Sequence, residues 1–231
     1  MKIVYFAAKM PDCKLIDLSH TIEHDMITYK GLPAPLISDH LSREASRQFY
    51  EPGTEFHIGK IEMVANTGTY LDSPFHRYQD GKDLSELDLR SIANLDGVVV
   101  RTVGKERGID VAAVEHIDVR GKAVLLHTGW DAHWRTEQYA NGTHPFLTAE
   151  AAVCLATAGP ALVGIDSYNI DDTATGGRPA HTILLAHGIP IVEHLRGLVQ
   201  LPDAGFRFFA VPVKVKQFGT FPVRAFAIVA A

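Results

Sequence analysis

Residues 179–194 read Pro-Ala-His-Thr-Ile-Leu-Leu-Ala-His-Gly-Ile-Pro-Ile-Val-Glu-His. Proline in the first turn, an apolar stretch and Gly188 just past its end predict a helix from about Pro179 to Ala186. The apolar run Ile189–Val192 then predicts a strand buried on both faces. A helix start and the finish of the following strand lie on the same side of such a hairpin. His181 in the first turn and Glu193 at the strand end are therefore expected to meet.

Working outward, the same kinds of element recur. Thr148 can cap a helix running to about Ala158, closed by Gly159-Pro160. Continuous apolar runs at Val98–Val100, Ala123–Leu126 and Ala161–Ile165 predict further strands buried on both faces. Alternation at Lys14–His20 and Ile58–Ala65 predicts half-exposed strands. Phe206–Val213 and Val223–Val229 are also strand-like, with Pro212 favouring an edge or bend. Short helices are expected near Leu87–Ile92 and Val111–Glu115. The polar, turn-rich runs Tyr78–Asp83 and Asn169–Arg178 have the character of active-site loops. With no repeat or linker in between, residues 1–231 are expected to form a single α/β domain.

Composition narrows the function. Hydrophobic residues make up 46% and charged residues 21% of the 231, the profile of an ordinary globular chain. A net charge of −5 without any Lys/Arg-rich run argues against nucleic-acid or anionic-membrane partners. No run approaches the eighteen or so apolar residues of a membrane span, and the expected location is the cytoplasm. Cys13 and Cys154 are the two cysteines, too few for a thiolate metal site, whereas there are twelve histidines. A transition metal here must be held by His with Asp or Glu, a set that suits zinc, manganese or iron.

The chemistry concentrates in two stretches. In Asn66-Thr-Gly-Thr-Tyr-Leu-Asp-Ser-Pro-Phe-His76, Gly68 permits a tight turn after the strand that precedes it. Pro74 is expected to impose an extended path that holds Asp72 and His76 apart on a fixed loop. Such a carboxylate and imidazole can share a metal ion or pair as general base and orienter. His181 and Glu193 form the second stretch. Trp130, with His133 and Trp134 after a buried strand, is expected to wall a pocket for a flat or apolar substrate. Arg178 is placed to meet a carboxylate from the Gly176-Gly177 loop, and Asp166 to cap a turn.

Taken together, these stretches resemble the putative cyclase family, which includes bacterial kynurenine formamidases and isatin hydrolases. The family is marked by H-x-G-T-H-x-D-x-P-x-H and by a later His and Glu spaced as His181 and Glu193 are. Gly68-Thr69, Asp72, Pro74 and His76 match, as do Leu125-Leu-His-Thr-Gly-Trp130 and Gly164-Ile-Asp166. The resemblance runs from Ile16-Asp-Leu-Ser-His20 to Phe221-Pro-Val-Arg-Ala-Phe226.

It implies a swivelling β/β/α-type fold, a homodimer or homotetramer, and a metal-dependent hydrolase of a small amide, formamide or lactone. Asn66 and Tyr70 stand where the family has two histidine ligands. An amide oxygen is a weak ligand, and a phenol of pKa ~10 must lose its proton to bind well. One divalent ion, zinc or manganese, is therefore expected on Asp72, His181 and Glu193, three ligands that leave an open position. His76 is expected to transfer the proton of an attacking water or to become a fourth ligand. Tyr70 is expected to donate to the oxyanion, with Asn66 and Trp130 contacting substrate. The altered motif also admits two other readings: a metal-free small-molecule binding protein, and a metal-free cyclase or dehydratase.

Overall fold

The computed structural model describes residues 13–230. Its strands are β1 (Cys13–Asp17), β2 (Leu36–Leu41), β3 (Ile58–Glu62), β4 (Tyr70–Asp72), β5 (Leu95–Arg101), β6 (Gly108–Ile109), β7 (Ala123–His127), β8 (Phe146–Leu147), β9 (Leu162–Ile165), β10 (Ile191–Glu193), β11 (Ala204–Phe209), β12 (Thr220–Pro222) and β13 (Phe226–Ala230). The helices are α1 (Arg43–Ser46), α2 (Ala149–Ala158) and α3 (Pro179–Ala186). Nine strands form one mixed sheet in the order β1-β13-β11-β5-β7-β9-β10-β4-β12. The centre, β5-β7-β9-β10, is parallel, and antiparallel strands flank it on both sides.

The sheet curls back on itself, and the chain shows why. β12 ends one edge and β13 lies beside the other, yet only Val223–Ala225 separates them, a reach of about 14 Å at full extension. Val223 N–H donates to Thr69 O at 2.9 Å and Leu18 N–H to Ala225 O at 2.9 Å, so this bend stitches both edges together. Inside the curl lies one apolar core, with Leu71, Leu125, Val192, Phe206 and Phe208. A second core, with Val124, Leu126, Val163 and Ile191, packs against α2 and α3 on the outer face. Alternate residues of β7 go to opposite cores, which is why Ala123–Leu126 is buried and unbroken in hydrophobicity, with buried His127 at the strand's end.

The four buried strands and both long helices occur where the sequence predicts them. Thr148 Oγ1 accepts from Ala151 N–H at 3.2 Å, and Gly159 closes α2 at φ +75°. Several expectations need correction. Tyr70–Asp72, expected within a loop, is a strand whose two neighbours complete its hydrogen bonding. Pro74 opens a 3-10 turn over Pro74–His76, as proline does at a first helical position, and brings His76 back toward Asp72 rather than holding them apart. The segments near 87–92 and 111–115 are also single 3-10 turns, Leu89–Ser91 and Val111–Ala113. The strand expected over Phe206–Val213 ends at Phe209, before Pro212, and the one expected over Val223–Val229 begins only at Phe226, because residues 223–225 make the bend between sheet edges. β3 pairs with β2 in a separate two-stranded ribbon exposed on both faces, not half-exposed as alternation predicts.

Candidate active site

On β4, Leu71 points into the inner core, so Tyr70 and Asp72 face the helices. The same alternation on β10 sends Val192 inward and Glu193 outward. Register then sets the cross-strand neighbours: Tyr70 opposite Glu193, and Asp72 opposite both Ile191 and Thr220. α3 begins above this row and contributes His181. Asp171 fixes it there, its Oδ1 accepting from Ala180 N–H at 2.6 Å and its Oδ2 from His181 N–H at 3.1 Å. A carboxylate at a helix N-terminus is favoured by the unpaired N–H groups and the helix dipole. Asp171 Oδ2 also accepts from His181 Nδ1–H at 2.6 Å, which turns Nε2 toward the strands.

Three of the expected residues thus converge. His181 Nε2 lies 3.7 Å from Asp72 Oδ2 and 3.8 Å from Glu193 Oε1. Two ligands at tetrahedral angles on zinc sit about 3.4 Å apart, given metal–ligand distances near 2.1 Å. His76 Nδ1 is 3.6 Å from Asp72 Oδ1, and Thr220 Oγ1 joins the two, hydrogen-bonded to Asp72 Oδ1 and 2.8 Å from the imidazole. Ligand atoms of Asp72, His76 and His181 all fall within 4.8 Å of one another. Tyr70 donates its hydroxyl proton to Glu193 Oε2 at 2.7 Å, and Ile170 N–H reaches Oε1 at 2.6 Å.

The electrostatics ask for a cation. Asp72, Asp171 and Glu193 are at most 1% exposed and surround one imidazole. Buried carboxylates are tolerated only with compensating charge and hydrogen bonds. Burial disfavours a charged His181, but Glu193, Asp171 and Asp72 outweigh it and push its pKa up to about 10. Burial pushes Glu193 up to about 7 against the pull of His181. For Asp72 burial also acts upward, yet His181, His76 and Thr220 hold the carboxyl below its usual range. Even so, Asp72 Oδ2 is buried without a hydrogen-bond partner among the described residues. An orphaned carboxylate oxygen aimed at an imidazole nitrogen fits a divalent ion. So does the Nδ1 bond to Asp171, which is how a ligating histidine is commonly oriented.

Burial, Glu193 and Asp72 push Tyr70 well above the ordinary phenol pKa, so it stays neutral and is a poor metal ligand. Asn66, Tyr70, His76, His181 and Glu193 line a cavity of about 560 Å³, completed by Tyr29, Arg77 and Arg178 among others. Trp130 does not line it; its indole N–H donates to Tyr139 O at 3.1 Å. Asp166 accepts from Thr128 N–H and Oγ1–H and from Gly129 N–H, the turn-capping role expected of it.

Sequence reasoning missed Asp171, Thr220, Tyr139 and His194. Asp171 lies in the turn-rich run 169–178, whose polarity was its one visible signal. Thr220 reaches Asp72 across 148 residues, and local pattern carries no trace of it.

The chain is similar to known proteins over most of its length. A kynurenine formamidase of Bacillus cytotoxicus is 30% identical over 219 residues, covering 91% of this chain and 95% of its own. The solved isatin hydrolase A from Labrenzia aggregata, bound to benzyl benzoate, shares the fold with a TM-score of 0.82 at 21% identity, over 95% of both chains. A structure described as a predicted metal-dependent hydrolase from Bacillus stearothermophilus superimposes with a TM-score of 0.72 at 25% identity, over 94% of this chain and 98% of that one. The family model described as "Putative cyclase" matches residues 16–172, more than half of the chain. The chain belongs to the putative cyclase family.

Proposed function

We propose that the protein is a metal-dependent hydrolase that cleaves the C–N bond of a small amide or formamide. Asp72, His181 and Glu193 hold one divalent cation, zinc or manganese, and His76 handles the proton. The observation that carries this reading is the placement of His181 Nε2, almost equidistant from two buried carboxylate oxygens, one of them unpartnered. The family relationship supports it, since relatives include kynurenine formamidases and isatin hydrolases.

A divalent cation held there supplies Lewis acidity, polarising a carbonyl and lowering the pKa of water beside it. The chain's own groups do the rest. His76, about one-third exposed and steadied by Thr220, takes a proton from the attacking water and returns it to the departing nitrogen. A positioned base of this kind contributes about 100- to 10,000-fold. Asp171 locks His181 in the orientation that presents Nε2. Tyr70 keeps its proton, presents a neutral donor at the cavity wall and in the resting site steadies Glu193 with it. Asn66 offers its amide to the substrate from the same wall.

The test pairs an aryl formamide and a cyclic aryl amide as substrates with removal of metal. Hydrolysis of at least one, abolished by chelation and restored by zinc or manganese, is expected. Asp72→Ala and Glu193→Ala should lose metal and activity together, whereas His76→Ala should keep the metal and lose turnover. Full metal occupancy in Asp72→Ala, or turnover untouched by exhaustive chelation, overturns the assignment.

A further inference from the structure

Behind the site lies a buried string of hydrogen bonds that the mechanism above does not use. His194 Nε2 is 3.3 Å from Tyr70 Oη, and His194 Nδ1 is 2.8 Å from Tyr139 Oη. We propose that Tyr139 and His194 are positioning residues that, acting through Tyr70, hold Glu193 with Oε1 turned toward His181. The proposal rests on the reading of Glu193 as part of the cation site.

Counting protons gives the argument. Tyr70 has one hydroxyl proton and two candidate acceptors for it, Glu193 Oε2 at 2.7 Å and His194 Nε2 at 3.3 Å, while the Asn66 amide beside it acts as a donor to the hydroxyl oxygen. An ionised carboxylate can only accept, so the Tyr70 proton lies on Glu193 and Nε2 must carry the hydrogen that reaches Tyr70 Oη. Nδ1 is then the acceptor, and the Tyr139 hydroxyl satisfies it. That contact, at 2.8 Å, is shorter than the 3.4 Å from the same hydroxyl to Ser167 O. One tautomer of His194 therefore satisfies every group, and every bond in the string points toward Glu193. The other tautomer would place an N–H against Tyr139 and leave Nε2 competing with Glu193 for the Tyr70 proton.

The backbone supports a dedicated role. His194 follows β10 directly and adopts φ +55°, a left-handed conformation uncommon for a side chain of this size. Its carbonyl is held by the Thr69 hydroxyl at 2.6 Å, and its ring is fully buried beside Tyr70, Trp134, Tyr139 and Tyr168. Full burial with one hydroxyl partner at each ring nitrogen disfavours a charged ring, so its tautomer is a defined quantity.

Long-range proton–nitrogen NMR spectra of protein carrying 15N-histidine read that tautomer directly, in metal-free protein at pH 8. The resonance is assigned by its loss in His194→Asn, a substitution that tolerates the left-handed backbone. The expected result is the Nε2–H form in the wild type and a shift toward Nδ1–H in Tyr139→Phe. Zinc affinity should fall about tenfold in both variants, the scale seen when the outer partners of a metal site are lost. In Tyr139→Phe, kcat should fall with KM within twofold.

An Nδ1–H form in the wild type overturns the proposal, as does an unchanged tautomer in Tyr139→Phe or zinc affinity within twofold of wild type. Should Tyr139→Phe not fold, the wild-type tautomer and the zinc affinity of His194→Asn decide. Undiminished zinc binding by Glu193→Gln would instead sink the ligand reading, leaving the tautomer result standing as a separate fact.

Discussion

Asp171→Asn isolates the group that aims His181. The wild-type carboxylate receives three donors, Ala180 N–H, His181 N–H and His181 Nδ1–H, at 2.6, 3.1 and 2.6 Å. An asparagine of the same shape has one acceptor oxygen and one NH2, so at least one of these donors meets another donor. Leaving a buried donor unpaired costs about 1–3 kcal/mol, and losing a negative charge from the helix start adds about 0.3–1 kcal/mol. The sum, about 1.3–4 kcal/mol, corresponds to a Tm lowered by about 3–16 °C at 2–4 °C per kcal/mol in a chain of this size. His181 then has no fixed tautomer, and zinc or manganese affinity should fall about 10- to 100-fold. Thermal melts of the metal-free protein and competition with a chromophoric chelator measure the two effects separately. Metal affinity within twofold of wild type would refute the claim that Asp171 presents His181 Nε2 to a cation.

Three further outcomes are expected. His181 carries a pKa raised to about 10 in the metal-free fold, so cation binding at pH 8 must expel its proton. Calorimetric titrations in buffers of different ionisation enthalpy should show release of about one proton per ion from His181, and no buffer dependence contradicts this. The same raised value favours the fold fully below His181's unfolded pKa near 6.5, and that advantage disappears as pH rises through about 10. The metal-free protein should therefore melt progressively lower from pH 7 to pH 10, a trend that His181→Gln should flatten. Gly219→Ala should disable the site without touching a ligand. A Cβ there would lie 2.5 Å from both His76 N and Cα, so the turn carrying His76 must shift. Turnover should drop at least tenfold while metal remains bound, as measured by steady-state kinetics beside elemental analysis.

The parts of the architecture legible in the sequence are those governed by short-range pattern. Ala123–Leu126 of β7 and all of β9 are apolar without a break because both faces are covered, and α2 announces itself with Thr148 and Gly159. The same holds for the meeting of His181 with Glu193, which follows from a helix and strand joined by a single tight connection. Where the pattern misleads, long-range pairing has decided. Tyr70–Asp72 alternates too briefly to register as a strand, and it becomes one because β10 and β12 flank it. The alternation of β3 suggests a face packed on a core, yet among the described residues the segment pairs only with β2. Trp130 sits in a stretch that matches the family, but whether its ring faces a cavity depends on the Tyr139 carbonyl nine residues away.

The bend at Val223–Ala225 has a temporal consequence. Thr220, which ties Asp72 to His76, belongs to the same short piece of chain that sews the two margins of the sheet together. A nascent polypeptide emerging from the ribosome can build the central strands and both long helices. It cannot assemble a working centre until residues 220–230 are free to dock. Enzymatic competence should therefore wait for this segment to dock, and a chain cut just before Thr220 would lack both the seam and the clasp on its imidazole.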